Sequence, residues 1–129
     1  MKIFIICSVR GASESYRKHL EKYVEGLESQ GHEVHLPHRD TIQTGDGLDI
    51  CTTHRAMIGV CDEVHLFYNP ESQGTHFDLG MAFMAGKKLV VVESVPFSEG
   101  KSFPHMTDTW MKKGPESGKM VIANLIDKL

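Results

Sequence analysis

Two short stretches hold the side chains with the most chemistry in them. The first, Ser8-Val9-Arg10-Gly11-Ala12-Ser13, follows the apolar run Ile3-Phe4-Ile5-Ile6-Cys7. Gly11 lets backbone approach a ligand closely, Ser8 offers a hydroxyl, and the Arg10 guanidinium can fork onto anionic oxygens. The helix that follows would aim its N-terminal N–H groups at the same place. This is the chemistry of an anion site, although the same residues also make an ordinary turn with a surface arginine. The spacing is neither Gly-x-Gly-x-x-Gly nor a Walker loop, which disfavours those two nucleotide folds. The second stretch runs from Ser72 to Lys87 and contains Ser72, Gly74, Thr75 and Asp78. With Thr75 as helix N-cap, Asp78 takes the third helical position. There a carboxylate either closes a capping box or faces a ligand at the mouth of a strand–loop–helix unit.

These residues need elements to hold them. Ile3 to Cys7 reads as a central parallel strand, apolar because both of its faces are covered. Tyr16, Leu20, Tyr23, Val24 and Leu27 recur at helical spacing, predicting a helix from Glu14 to Gln30 with Gly31 just past its end. Glu33 to Leu36 reads as a second strand, placed at an edge by its interrupting polar residues and stopped by Pro37. Arg39 to Gly47 is expected to be a polar, mobile loop, and Asp49 to Gly59 a second helix carrying His54. Val64 to Tyr68 and Leu89 to Val92 predict two more buried strands on either side of the Asp78 helix. Beyond Glu93, proline and glycine punctuate the chain, with Trp110 and Met111 on a short helix. Met120 to Leu129 fits either a fifth strand or a helical stripe. Strands and helices alternating through short connections predict an α/β fold with a parallel sheet and right-handed crossovers.

Composition narrows the function classes. At 129 residues the chain fits one domain with a real core. A net charge of −3 leaves no basic footprint for nucleic acid, while a single nucleotide, needing only a few donors, stays possible. Cys7, Cys51 and Cys61 are odd in number and widely spaced, so neither a zinc knuckle nor a disulfide framework is expected. No stretch is long and apolar enough for a signal peptide core or a membrane span, which predicts a cytoplasmic protein with no membrane partner.

In the same order along the chain, the two stretches resemble one family. Ser8-Val9-Arg10-Gly11-Ala12 resembles the phosphate loop of the 2′-deoxynucleoside 5′-phosphate N-hydrolases. Ser72-x-Gly74-x-x-x-Asp78-Leu79-Gly80-x-Ala82 resembles the active-site segment of that family and of the wider nucleoside 2-deoxyribosyltransferases. The resemblance covers most of residues 3 to 92 and fades after them. It implies a small flavodoxin-like, doubly wound parallel sheet of four or five strands flanked by helices, in a homodimer. It implies phosphate contacts from Ser8, Arg10 and Gly11, and phosphate and sugar contacts from Ser72 and Gly74. A helix carboxylate, usually glutamate, attacks the anomeric carbon in these enzymes; Asp78 occupies that position, one methylene shorter. A second family carboxylate, in the helix before the third strand, falls at His54, which becomes a candidate acid toward the departing base. Ser102 or His105 is the candidate residue lent to a partner subunit's pocket. The implied activity is N-glycosidic cleavage or base transfer on a nucleoside 5′-monophosphate, with no cofactor.

Three other readings compete. A catalytically altered nucleotide-binding module would keep the phosphate loop and lose turnover. A metal site at His32-x-x-His35-x-x-His38 is disfavoured, because strand geometry does not converge residues three apart. A flavin electron carrier lacks its usual Ser/Thr-rich phosphate loop and acidic surround.

Overall fold

A computed structural model describes residues 1–114 and 126–129. In chain order the elements are β1 (Lys2–Ile6), α1 (Glu14–Ser29), β2 (Glu33–His35), α2 (Pro37–Asp40), α3 (Gly47–Val60), β3 (Glu63–Phe67), α4 (Gln73–Met84), β4 (Lys88–Glu93) and α5 (Phe103–Lys113). The four strands form one sheet in the order β2-β1-β3-β4, with every pairing parallel. This is the expected α/β, flavodoxin-like architecture. β2 lies at an edge, as its polar interruptions require. The segment at Met120 to Leu129, expected as strand or helical stripe, lies largely outside the described residues.

β1 is buried along Ile3–Ile6 and divides its side chains between two cores. Ile3 and Ile5 meet Leu20 and Val24 of α1, whose apolar stripe follows from helical spacing. Phe4 and Ile6 meet Ile58 of α3, Leu79 and Ala82 of α4, and Trp110 of α5 on the opposite face. Trp110 anchors α5 there by donating its indole N–H to the Lys87 carbonyl at 3.0 Å. β3 alternates in the same way, but Glu63 and His65 face the α1 side. These two are tolerated in the interior because they pair at 2.7 Å and because the Tyr23 hydroxyl reaches His65 Nδ1 at 2.6 Å.

Three local expectations are corrected. Pro37 does not merely end β2; it opens the one-turn α2, where a proline loses no hydrogen bond. The Asp40 carboxylate accepts from the Leu36 N–H at 2.8 Å, so the first part of the expected loop is helical. α3 begins at Gly47 rather than Asp49, because Asp46 and Asp49 form a reciprocal capping box. At α4 the N-cap is Ser72, whose Oγ accepts from the Thr75 N–H at 3.1 Å, and not Thr75. Serine caps at least as well as threonine, so the helix starts earlier than expected. Asp78 therefore lies in the second turn, beyond the reach of the capping role.

Candidate active site

The strand order makes β1 and β3 neighbours while their following helices lead to opposite sides of the sheet. That is a topological switch point, where open α/β sheets leave a crevice beyond the strands' carboxyl ends. Both stretches singled out from sequence open there: Ser8 to Gly11 after β1, and Ser72 with Gly74 after β3. A side-chain bond ties the two loops together, Asn69 Nδ2 donating to Ser8 Oγ at 2.8 Å. Asn69 also accepts the Glu71 N–H at 2.9 Å through its Oδ1, forming an Asx turn that fixes the approach to α4. His76 Nδ1–H donates to the Ser72 carbonyl at 2.7 Å, so its Nε2 accepts from the Tyr68 hydroxyl at 2.7 Å. The loop between β3 and α4 is thus braced at both ends.

Ser8 and Ser72 are half-buried, and Arg10 and Gly74 are exposed. Gly11 sits at φ +74°, in the left-handed region that costs other L-residues roughly 1–2 kcal/mol. Its glycine therefore has a backbone reason as well as its place in an anion loop.

Asp78 is 4% exposed and His54 6%. His54 Nδ1 lies 3.1 Å from both carboxylate oxygens of Asp78. His54 Nε2 lies 3.1 Å from Thr41 Oγ1, which in turn lies 2.7 Å from His35 Nε2. Both ring nitrogens of His54 are thus engaged inside the protein. In this arrangement neither nitrogen faces outward: Nδ1 is turned to Asp78 and Nε2 to Thr41. Cys7, the residue before Ser8, stands close enough to Asp78 to feel its charge. Burial first, then that charge, pushes the Cys7 thiol up to about 12. The end of β1 and the Asp78 carboxylate therefore share one neighbourhood. One turn before Asp78, the Thr75 hydroxyl is fully buried with no hydrogen-bond partner.

Sequence reasoning missed Thr41 and Asn69 and gave His35 no part in the site. Thr41 fell in a segment read as a loop, and no local pattern links it to His54, 13 residues on. His32, His35 and His38, spaced as a possible metal set, turn to different partners: the N-terminal amine, Thr41 and Glu21. Among the described residues no group of three His, Cys, Asp or Glu side chains could hold a metal ion. Ser102 and His105 are occupied within their own chain, Ser102 as N-cap of α5 and His105 Nδ1 against Gly100. No helix among the described residues is long and apolar enough to cross a membrane.

No family profile matches the chain, and neither does any curated protein. Solved structures do. A CMP N-glycosidase of Clostridium botulinum, BcmB, is similar at 26% identity with a TM-score of 0.54, over 69% of this chain and 66% of that one. The chain thus spans just under two thirds of that enzyme. A 2-deoxyribosyltransferase from Bacillus psychrosaccharolyticus shares the fold at 22% identity and a TM-score of 0.57, over 69% of each chain. The fold is shared with these two enzymes, in line with the architecture that the two sequence stretches implied. Both neighbours are enzymes that cleave or transfer at a glycosidic bond.

Proposed function

We propose that the protein cleaves the N-glycosidic bond of a nucleoside 5′-monophosphate, or transfers its base, through Asp78. The observation that carries this reading is the pairing of a buried carboxylate with an anion-type loop at the switch point. Asp78 is within electrostatic reach of Cys7, and the next residue, Ser8, is tied to the loop leading into α4. N-glycosidic cleavage develops positive charge at the anomeric carbon, and a nearby carboxylate stabilises that charge and can bond to it. Asp78 Oδ attacks the anomeric carbon as the C–N bond breaks, with the electron pair leaving on the base. Water then displaces the carboxylate, giving its hydroxyl to the sugar and a proton to the base. A second base in place of water gives transfer. Arg10, Ser8 and Gly11 hold the 5′-phosphate, and Ser72 and Gly74 border phosphate and sugar, so remote binding energy orients the reacting carbon. His54 donates to Asp78 and keeps it aimed.

A second reading has its own support. Asp78 is almost fully covered and both of its oxygens already face His54, which suits a nucleotide-binding module without turnover. We also propose a homodimer. A groove of about 600 Å³ between α3 and α4 is lined by Ile58, Phe77, Met81 and Met84, and Phe77 and Met84 are 55% and 80% exposed. Apolar surface of this kind is usually covered.

The test is to incubate the purified protein with a panel of nucleoside 5′-monophosphates and free nucleosides, measuring released base beside a binding titration. Free base from at least one monophosphate supports the glycosidase reading. Binding without release supports the module.

A further inference from the structure

We propose that Thr41 and His35 are positioning residues for Asp78, acting through His54 along one directed chain of hydrogen bonds. The proposal rests on reading Asp78 as the reacting carboxylate. Thr41 and His54 are 5% and 6% exposed, so these bonds form away from competing water. Thr41 Oγ1 lies between two imidazoles, 2.7 Å from His35 Nε2 and 3.1 Å from His54 Nε2. A threonine hydroxyl has a single proton and two lone pairs, so it can donate to only one of the two rings and accepts from a ring that presents an N–H.

The direction follows from the far end. An ionised carboxylate only accepts, so His54 carries its proton on Nδ1, toward Asp78. Burial holds His35 below its usual proton affinity, favouring a neutral ring. With its one N–H on Nε2, His35 donates to Thr41, Thr41 donates to His54 Nε2, and His54 donates to Asp78.

The arrangement has a mechanical consequence. An imidazole bonded at one nitrogen can swing about its Cβ–Cγ bond and carry that nitrogen off its partner. Bonded at both nitrogens, His54 cannot turn without breaking bonds at each end. Phe4 holds the two rings from a third side, stacked on His35 at 5.3 Å with 7° between planes and edge-on to His54 at 5.2 Å. Residues from β1, β2, α3 and the segment after α2 thereby converge on the aim of one carboxylate.

The test uses the full chain and three variants. Thr41→Val keeps the shape and removes the hydroxyl, Thr41→Ser keeps the hydroxyl, and His35→Phe keeps a ring over Phe4 without an N–H. Two readouts are taken: kcat and KM on whichever monophosphate is turned over, and the nitrogen–proton correlations of the histidine rings by NMR. In the natural chain the His54 Nδ1 is expected as the protonated nitrogen and Nε2 as a hydrogen-bonded acceptor. Thr41→Val should lower kcat roughly tenfold or more with KM nearly unchanged, the mark of a misaimed reacting group. It should also move the His54 Nε2 resonance to that of an unbonded acceptor. Thr41→Ser should restore most of kcat, and His35→Phe should give a smaller loss. A proton on His54 Nε2 in the natural chain, or a Thr41→Val variant unchanged in kcat or in its His54 resonances, overturns the proposal. If no nucleotide releases base, the glycosidase reading fails by itself and the ring-nitrogen measurements alone decide this inference. Should Thr41→Val not fold, His35→Phe and the tautomer of the natural chain decide it.

Discussion

His54 and Asp78 meet across two helices that follow different strands, the Nδ1 of one 3.1 Å from each carboxylate oxygen of the other. Each is nearly covered, so each is the other's compensation for leaving water. The pair is accordingly both a structural commitment of the fold and the centre of its candidate chemistry.

Removing one member strands the other. His54→Ala should leave the Asp78 carboxylate buried without its donor and cost on the order of 3 kcal/mol. The double variant with Asp78→Ala should lose less than the sum of the single losses, by about 1 kcal/mol or more. Urea unfolding of the four proteins measures this coupling. Additive losses would mean that the contact carries no energy.

Arg10 is exposed, so its loss should leave folding intact. A guanidinium on a phosphate is worth about 1.5–3 kcal/mol, so Arg10→Ala should weaken KM for a 5′-monophosphate by roughly ten- to a hundredfold. Free nucleosides should be spared. Equal losses on phosphorylated and unphosphorylated substrates would remove Arg10 from phosphate recognition.

Cys7 gives a pH dependence whose sign is fixed. Burial and then the Asp78 charge raise its thiol from 9.0 to about 12 in the folded chain. Above pH 9 the unfolded chain releases this proton while the folded chain keeps it. The stability held by neutral Cys7 is full below pH 9 and falls by about 1.4 kcal/mol per pH unit toward pH 12. Cys7→Ala should flatten that part of the profile, whatever it does to the absolute stability. At pH 8 the buried thiol stays protonated, so iodoacetamide should spare Cys7 in the folded protein. Rapid alkylation of Cys7 under those conditions would contradict its burial at the end of β1.

Much of the architecture was legible because it is written in short-range patterns. The run Ile3 to Cys7, the stripe Tyr16 to Leu27, and the alternation of strand and helix sufficed for a parallel sheet with β2 at its edge. What escaped was set by competition or by distance. Ser72 and Thr75 are both good caps, and their order along the chain does not say which wins. Asp46 took the start of α3 through a reciprocal box with Asp49, two residues earlier than the apolar pattern indicated. At the site, Asp78, His54, Ser8 and Arg10 were visible by type and order. The bonds of Thr41 and His35 were not, because they form only where β2, α3 and the segment after α2 come together, with Phe4 against both imidazoles. A threonine in a polar segment gives no sign that its hydroxyl joins two imidazoles.

The central claim is that Asp78 attacks a sugar carbon. Its most direct test compares the natural chain with Asp78→Asn for release of free base from nucleoside 5′-monophosphates, with a binding titration alongside. An amide is nearly isosteric but cannot serve as the anionic nucleophile. The account predicts that release falls by about a thousandfold or more while nucleotide binding persists. Base release undiminished in Asp78→Asn would contradict it.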